Sequence, residues 1–533
     1  MREIRFTQTG DPWHDWGLCE LYEALQDPSL QPYLHITLEG DAGFIVTTEL
    51  SSRDFGEKVG SVLTSASRWN MLHPRFEEGK KIPRCELRYE NGRRVPGEKY
   101  DEKVSKEEWE AAGCRGEPPK IERERCKRLA SVPLTPRGLE ALMSPKRKDS
   151  FADIAAKVLE PATAMPVTQG ANPLVAKHHS NYNVRGPAAH NDNPKASPHF
   201  VLACFCASVS PWLPFVKHEN GVTVFLPTGV AFPRAYRLWK HFAGLALVHP
   251  DDRDRGQMNT NLPMFADGDE ARLLVLLHAL QDKLAVRESE GLFAKDLVLL
   301  NDWVAIHFTS GKNVVVGTVH HIEVPGDVFP LLKPISPPPS WQNAGDVAFV
   351  PDCLGGLRLE NVPVQSRIAR NLFLVERNAT EGWDGLAMAA FELYKNVDRA
   401  MKTNRRAARL APHFYSHFAR RFTNMTEEQI ESCRKIGDLA GRAFHRDVTI
   451  ISRLHNASSP GDFRSNLELL AFRLFKASNS DDRSGLWHIS PEEFKSVLDL
   501  ATTDEWQAAA QTISAFASLR AFNQNLGGGE ENR

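Results

Sequence analysis

Several features that mark particular classes of protein are missing from this chain. Its 533 residues include only eight cysteines at irregular spacings, which predicts no disulfide framework and favours a reducing compartment. No apolar run is long enough to cross a bilayer, and the first residues, Met-Arg-Glu-Ile-Arg-Phe, lack the apolar core of a secretory signal. The sequence therefore predicts a cytoplasmic protein without a membrane partner.

Sequence motifs of catalysis are also missing. The chain has no zinc-protease helix motif, no haem-attachment motif and no Gly-x-Ser-x-Gly nucleophile turn. Cys85, Cys114 and Cys126 could bind zinc if the fold brought them together, but the paired Cys-x-x-Cys spacing of structural zinc sites is absent. We therefore predict no metal, no cofactor and no catalytic residues, so that the protein is not an enzyme.

The charge of the chain is unevenly distributed. The formal net charge is only −2. Residues 1–74 contain five Lys or Arg and eleven Asp or Glu, whereas residues 395–476 contain sixteen Lys or Arg and eight Asp or Glu. An asymmetry of this kind indicates different partners for the two ends of a chain. We predict that the basic end binds nucleic acid.

Length and local composition predict several domains, because a chain of 533 residues exceeds the size of a single hydrophobic core. We predict an α+β fold, with an irregular mixed α/β N-terminal portion followed by an all-α helical bundle at the C-terminus. The first predicted region, 1–160, is α+β and contains a basic hairpin segment. The second, 161–340, is also α+β and contains a long Asn/His/Pro-rich loop at 161–199 and a Pro-rich linker at 334–340. The predicted bundle spans 341–522, and a flexible tail is predicted for 523–533.

Local patterns place hairpins in the N-terminal portion and helices in the C-terminal portion. Alternating residues around Asn91-Gly92 predict one hairpin, and the segments 303–308 and 314–324 predict another. The sequence Ser-Pro-Glu-Glu at 490–493 is typical of a helix N-terminus. Helical periodicity predicts helices over 363–375, 383–402, 411–421, 426–446, 462–477, 490–501 and 504–522.

The most specific local pattern lies at residues 7–25. A short strand at 4–7 runs into a Gly-Asp-Pro turn at 10–12, and Asp15 stands where the N-cap of the following helix is expected. Two tryptophans follow the turn, and tryptophans are more often anchors of a core or an interface than catalysts. The pattern predicts a strand, a turn and a capped helix.

The same turn also contains an acidic and histidine-containing cluster that could be an active site. Asp11, His14 and Asp15 are residue types that serve acid–base catalysis and metal binding. We favour a structural or docking role, because Asp before Pro is ordinary turn chemistry and Asp side chains cap helices. A metal-dependent nuclease that uses Asp11, His14 and Asp15 is the alternative.

Basic residues dominate the segment 395–421, in which Asp398 is the sole acid. Five of them are spaced by three or four residues, which predicts one cationic stripe along a helix. Such a stripe suits a phosphate backbone, to which it gives affinity without sequence readout. The predicted DNA-backbone residues are Lys395, Arg399, Lys402, Arg405, Arg406, Arg409, Arg420 and Arg421.

The opening segment resembles the start of one protein family, the Cas-eight-type large subunits of type I CRISPR surveillance (Cascade) complexes, and within it the Myxococcus-like subtype. In that family a strand, a Gly-Asn/Asp-Pro turn, an aromatic residue, an Asp and a Gly precede an apolar helix. This chain has Asp at the turn position where Asn is commoner. The family-motif and docking residues are Gly10, Asp11, Pro12, Trp13, Asp15 and Gly17.

The resemblance implies a non-catalytic subunit of an RNA-guided DNA-binding complex. The implied partners are the guide CRISPR RNA, the double-stranded target DNA and its displaced single strand, the Cascade backbone and small subunits, and a helicase-nuclease that acts in trans. The subunit would recognise the protospacer-adjacent motif (PAM) on duplex DNA and stabilise the R-loop, while base pairing reads the sequence. A nucleic-acid-binding scaffold outside CRISPR systems is the second alternative.

The long loop at 161–199 is the candidate for reading the PAM. Asn and Lys side chains on a loop can enter the minor groove of duplex DNA, where groove width and a degenerate hydrogen-bonding pattern are read. The candidate residues in this loop are Asn172, Lys177, Asn181, Asn183 and Arg185.

Overall fold

The fold is that of a computed structural model of the chain. It describes residues 1–64, 70–76, 87–90, 93–96, 127–133, 151–160, 164–167, 172–174, 195–208, 210, 213–218, 221–246, 268–288, 301–310, 314–325, 354, 357, 359, 362–374, 378–400, 405–445, 447–479 and 489–527.

The predicted α+β fold is confirmed, because the described strands form small antiparallel sheets before residue 324 and the described elements after it are helices. The strands are β1 (Arg2–Thr7), β2 (Leu34–Glu39), β3 (Gly43–Thr48), β4 (Asn70–Phe76), β5 (Leu87–Glu90), β6 (Arg93–Pro96), β7 (Lys127–Pro133), β8 (Met165–Pro166), β9 (Lys195–Ala196), β10 (Phe215–His218), β11 (Gly221–Thr228), β12 (Asp302–Ser310) and β13 (Val314–Glu323).

Helices occur along the whole chain and make up the C-terminal bundle. They are α1 (Pro12–Leu25), α2 (Ser52–Leu63), α3 (Phe151–Val158), α4 (Pro198–Ser208), α5 (Phe232–Ala246), α6 (Asp269–Glu288), α7 (Val364–Leu372), α8 (Ala379–Lys395), α9 (Arg405–Phe422), α10 (Glu427–Ala443), α11 (Val448–His455), α12 (Pro460–Asn479), α13 (Pro491–Leu500) and α14 (Trp506–Gly527). A short 3-10 helix, Val397–Arg399, follows α8. No described helix combines the length and the apolar character needed to cross a bilayer.

A three-stranded antiparallel sheet with the order β1–β3–β2 lies at the N-terminus. Its central strand pairs on both sides, so that Val46 lies opposite Ile4 in β1 and Ile36 in β2. Alternate residues of a strand point to the same face, and the rings of Phe6 and Phe44 stack with their centroids 5.0 Å apart. One face of this sheet is therefore apolar and buried.

Helix α1 is buried almost all round. Trp13, Trp16 and Leu21 are at most 4% exposed, and α1 packs against α4 on one side. Trp13 also contacts Phe308 of β12, with ring centroids 6.1 Å apart. A helix that is buried on most of its sides belongs to the interior of a protein. The contact of α1 with α4 joins residues on both sides of the predicted boundary at residue 160.

A second antiparallel sheet has the strand order β10–β11–β12–β13. The hairpin predicted at 303–324 is confirmed as β12 and β13, with His320 opposite Ala305 and an irregularity between Ile306 and Phe308. His307 lies opposite Thr223 in the neighbouring strand β11. Residues directly opposite in an antiparallel pair share a face, so this register gathers polar side chains on one face of the sheet.

The C-terminal bundle is organised around α14. This helix packs against α8, α9, α10 and α11, and every residue from Ala509 to Leu519 is buried. Glycines in α10 allow the closest approach, since a Cβ at Gly437 would lie 2.6 Å from the Ile513 carbonyl oxygen and one at Gly441 would lie 2.4 Å from that of Ala517. The helix at the centre of the bundle is therefore α14, which is the last of the bundle's helices in the sequence.

Several sequence predictions about the bundle need correction. The helix predicted at 383–402 ends at Lys395, and the one predicted from 411 begins at Arg405, because Pro412 lies inside the helix and does not start it. Helix α11 was not predicted, and residues 523–527 of the predicted tail belong to α14. The hairpin at Asn91-Gly92 is confirmed as β5 and β6, the capping box at Ser490 is confirmed, and the linker 334–340 lies outside the described residues.

Candidate nucleic-acid interface

The opening turn is built from side chains that satisfy its own backbone. Gly10 has a φ of +83°, in the left-handed region that favours glycine. Asp11 is the N-cap of α1, since its Oδ1 atom accepts a hydrogen bond from the backbone N–H of His14 at 2.8 Å. Pro12 occupies the first helical position, which needs no N–H donor. The predicted cap at Asp15 is therefore wrong, and Asp11 caps the helix.

Asp15 instead holds the loop that precedes the helix. Its carboxylate accepts hydrogen bonds from the backbone N–H groups of Thr9 at 2.9 Å and Gly10 at 3.1 Å. It also contacts the Nδ1 atom of His14 at 2.9 Å, and the His14 ring, only 3% exposed, stacks on Phe200 with centroids 4.8 Å apart. The carboxylate thus fixes the path of the chain from strand to helix.

Asn172, one of the five PAM-reading candidates, is part of this turn. Its side chain is fully buried, and its Nδ2 atom donates to Asp11 Oδ2 at 3.1 Å and to Cys204 Sγ at 3.4 Å. Its Oδ1 atom accepts from the backbone N–H of Leu174 at 2.9 Å. A buried and fully hydrogen-bonded amide is not available to a DNA groove, so Asn172 no longer fits the role we predicted. Lys177, Asn181, Asn183 and Arg185 lie outside the described residues.

We predict that Asn172→Ala destabilises the protein by about 1–3 kcal/mol, because it leaves the buried N–H of Leu174 and one oxygen of Asp11 without their partner. Urea denaturation of the two proteins measures the loss. Asn172→Asp is the informative second variant, since it keeps the shape but places a second carboxylate 3.1 Å from Asp11. An equally stable alanine variant would contradict a structural role for this side chain.

Two tryptophans of α1 attach this helix to the last residue of α4 and to a serine just beyond it. Trp13 Nε1 donates to Ser208 Oγ and Trp16 Nε1 donates to Ser210 Oγ, both at 3.3 Å. Gly17 lies where α1 meets α4, with the carbonyl oxygen of Ala203 in the place that a Cβ would occupy. The motif residues therefore act together as a joint between strand β1, helix α1 and helix α4.

Both carboxylates of the turn, those of Asp11 and Asp15, are hydrogen-bonded within this joint. Both oxygens of Asp11 and both oxygens of Asp15 accept hydrogen bonds from protein donors. A metal ion or a substrate would have to compete with these bonds. The geometry therefore favours the structural interpretation of Asp11, His14 and Asp15 over the catalytic one.

One buried carboxyl in α1 was missed by the sequence analysis. Glu20 is 4% exposed and accepts a hydrogen bond from the hydroxyl of Ser210. Burial raises the pKa of Glu20 to about 8, although the bond from Ser210 acts in the opposite direction. The side chain is therefore mainly protonated at neutral pH. In the sequence, the position of Glu20 among apolar residues, Leu18-Cys19-Glu20-Leu21, was the one indication that this carboxyl is buried.

The predicted cationic stripe does not lie on one helix. Helix α8 ends at Lys395, Arg399 belongs to the 3-10 helix, and α9 begins only at Arg405. The helical spacing that we assumed across residues 395–409 is therefore wrong, because Lys395, Arg399 and Arg405 belong to three different helices. Lys402 lies outside the described residues, and Arg405, Arg406 and Arg409 are placed on α9 by their backbone alone.

The basic residues of the bundle differ in how strongly acids neutralise them. Lys395 and Arg399, at the end of α8 and in the 3-10 helix, are exposed, and the Lys395 ammonium lies 5.5 Å from the centroid of the Phe391 ring. Arg421 is also exposed, but it lies in the last turn of α9, about 24 Å along that helix from Arg405. Arg420 is exposed but pairs with Glu427 at 2.7 Å. On α10, Arg434 pairs with Glu431 and Asp438, and Lys435 pairs with Glu493. The corner between α8 and α9 is therefore the stronger candidate for phosphate contacts.

The candidate zinc ligands Cys85, Cys114 and Cys126 lie outside the described residues. Within the described residues no group of three or more His, Cys, Asp or Glu is arranged to hold an ion. The described cysteines, Cys19, Cys204, Cys206 and Cys433, are buried free thiols.

Comparisons of the chain with protein-family models, with curated proteins and with solved structures found no match. The family resemblance of the opening segment therefore stays a prediction, and the function rests on the geometry of the opening turn and of the basic bundle.

Proposed function

We propose that the protein is the non-catalytic large subunit of a type I CRISPR RNA-guided surveillance complex. It would recognise the PAM on duplex DNA, stabilise the R-loop and help to recruit a helicase-nuclease that acts in trans. Its partners would be the guide RNA, the target duplex with its displaced strand, and the backbone and small subunits of the complex. On this proposal the protein acts in the cytoplasm.

The observation that carries the proposal is the opening turn. Each residue that matches the family pattern has a structural role of its own, since Gly10 adopts the left-handed conformation, Asp11 caps α1, and Pro12 starts it. Asp15 holds the preceding loop, and Gly17 permits the contact with α4. A short pattern that specifies a complete joint between a strand and two helices supports the family resemblance more strongly than composition does.

The distribution of charge supports a role in DNA binding. A backbone-binding protein gains affinity from exposed cations and needs no base contacts where pairing with a guide reads the sequence. Lys395 and Arg399 provide such cations in a helical bundle whose segment 395–476 has twice as many basic as acidic residues. The acidic N-terminal segment suits a protein partner better than a nucleic acid.

We predict that the double variant Lys395→Gln, Arg399→Gln binds DNA more weakly and with a smaller salt dependence. Each phosphate contact contributes about 0.7–0.9 to the slope of log K against log salt, so the loss of two contacts should reduce the slope by about 1.4–1.8. Fluorescence anisotropy with single-stranded and duplex DNA at several salt concentrations measures this slope.

The matched control for this experiment is Arg464→Gln. Arg464 is also exposed and lies in the same bundle, but it pairs with Glu468 at 3.0 Å, so its removal should leave the slope unchanged. An equal slope in the double variant and the parent protein would assign the α8–α9 corner to solvent or to a protein partner.

The proposed function as a whole is tested by purification of the protein with the products of its neighbouring genes and sequencing of the bound RNA. Guide RNA with a CRISPR repeat sequence in the purified complex is the expected result. A protein that purifies with other RNA, or without RNA or partner subunits, would contradict the proposal.

A further inference from the structure

A polar cleft lies between the four-stranded sheet and the helix that leads into the bundle. Strand β13, the N-terminus of α6 and helix α7 form its walls, and its volume is about 610 Å³. This volume falls within the roughly 300–1,000 Å³ typical of small-molecule sites. The side chains that give the cleft its hydrogen-bonding character are Asp269, Glu270, Arg272, His307, His320 and Arg370.

Two adjacent carboxylates at the start of α6 connect the walls of the cleft. Asp269 accepts hydrogen bonds from Nδ1 of His320 in β13 at 2.9 Å and from Arg272 at 3.0 Å. Glu270 points to α7, where it accepts from Arg370 at 2.7 Å and 3.2 Å. Thr223 and Ser366 donate further bonds to Asp269 and Glu270, respectively. The acceptor capacity of both carboxylates is thus largely used within the protein.

The hydrogen-bond donors of the cleft have fewer partners within the protein than its carboxylate acceptors have. Arg272 gives one hydrogen bond and Arg370 gives two, whereas a guanidinium carries several more N–H donors. The His320 side chain is 55% exposed, and its bond to Asp269 through Nδ1 leaves Nε2 for another partner. Among the described residues nothing accepts from the remaining N–H groups of Arg272 and Arg370. The cleft therefore suits a ligand that supplies acceptor oxygens.

The identity and placement of the donors favour a phosphate group among such ligands. A guanidinium presents its donors in a planar fork that matches phosphate oxygens, and each arginine is already held in position by a carboxylate. Arg370 is 65% exposed, so it lies near the mouth, while Arg272 is only 15% exposed and lies deeper. The cleft has room for more than a phosphate ion, and imidazole and guanidinium planes can stack on a nucleobase.

We propose that this cleft binds a phosphate group carried by a nucleotide, with Arg272, Arg370 and His320 as its donors. The nucleotide is either free in solution or the phosphorylated end of an RNA strand, since both present the same chemistry. The cleft contains none of the exposed cations at the α8–α9 corner, so this site does not depend on the proposed role in DNA binding.

Titration calorimetry of the full-length protein tests the proposal with four probes: 5′-AMP, adenosine, and a short RNA with either a 5′-phosphate or a 5′-hydroxyl. We expect a phosphorylated probe to bind at least about tenfold more tightly than its phosphate-free counterpart. If 5′-AMP binds, a free nucleotide is a sufficient ligand for the cleft. If only the phosphorylated RNA binds, the ligand is the phosphorylated end of an RNA strand. If neither phosphorylated probe binds more tightly than its counterpart, the proposal is wrong.

Variants assign the binding to the cleft. Arg370→Gln and His320→Gln both replace exposed side chains, and each should weaken the binding of the phosphorylated probe by about tenfold. Arg53→Gln is the matched control, because Arg53 is likewise an exposed arginine paired with a glutamate, Glu57, but lies on α2. Thermal unfolding of each variant verifies that it folds, and Arg370→Lys, which keeps the charge, should retain part of the affinity. Unchanged affinity in both Gln variants would place the nucleotide elsewhere and overturn the proposal.

Discussion

Replacement of Gly17 by alanine should destabilise the N-terminal part of the protein by about 3 kcal/mol or more. A Cβ at this position would lie 1.8 Å from the carbonyl oxygen of Ala203 and 2.8 Å from the backbone nitrogen of Ala207. Both are backbone atoms of α4, which cannot rotate out of the way as a side chain can. The two helices would have to separate, and the apolar contacts around Trp13 and Trp16 would be lost with them.

Urea denaturation followed by tryptophan fluorescence measures this loss, and two other glycines serve as controls. Gly10→Ala meets no atom within 4 Å but keeps a φ of +83°, so it should cost only about 1–2 kcal/mol. Gly461→Ala, at the start of α12, meets only the Ser459 hydroxyl at 3.8 Å and should change stability by less than about 1 kcal/mol. If Gly17→Ala were as stable as Gly461→Ala, the close approach of α1 and α4 would be refuted.

Replacement of Glu20 by glutamine should stabilise the protein by about 3 kcal/mol near pH 7. Folding raises the pKa of this carboxyl from 4.5 to about 8, and each unit of pKa corresponds to about 1.4 kcal/mol. The stability that the protonated side chain provides is complete below pH 4.5 and falls as the pH rises toward 8, since the unfolded chain ionises first. Glutamine cannot ionise, so the variant avoids this loss while it still accepts a hydrogen bond from Ser210.

The measurement is a pair of urea denaturation series at pH 5 and pH 8. At pH 5 the parent and the Glu20→Gln protein should differ by less than about 1 kcal/mol, and the difference should grow with pH to several kcal/mol. Glu160→Gln is the control, because that side chain is exposed. Parallel pH dependences for the parent and the Glu20→Gln protein would show that Glu20 is ionised in the folded state.

The elements that sequence predicts well are those fixed by local chemistry. The hairpin β12–β13 follows from the two neighbouring runs rich in apolar and β-branched residues, 303–308 and 314–324, and the start of α13 follows from the capping box at Ser490. The strand, turn and helix of the opening segment also follow from local preferences alone. In each case the deciding interactions lie within a few residues along the chain.

The errors concern interactions between distant segments. Local context permits Asp15 to cap α1, whereas the structure uses Asp11, whose second oxygen accepts a bond from Asn172, far along the chain. The same contact explains why Asn172, an apparent loop residue, is buried. The prediction of a cationic stripe is wrong for a related reason, since charge spacing does not reveal that α8 ends at Lys395.

The position of α14 at the centre of the bundle has a consequence for biosynthesis. Helices α8 to α11 leave the ribosome before the helix that fills the space between them, so their apolar faces stay uncovered until Trp506–Gly527 has been made. Exposed apolar surface of this kind promotes aggregation of incomplete chains. A chain stopped before residue 506 should therefore accumulate in inclusion bodies or bound to chaperones, whereas a stop within 528–533 should be tolerated.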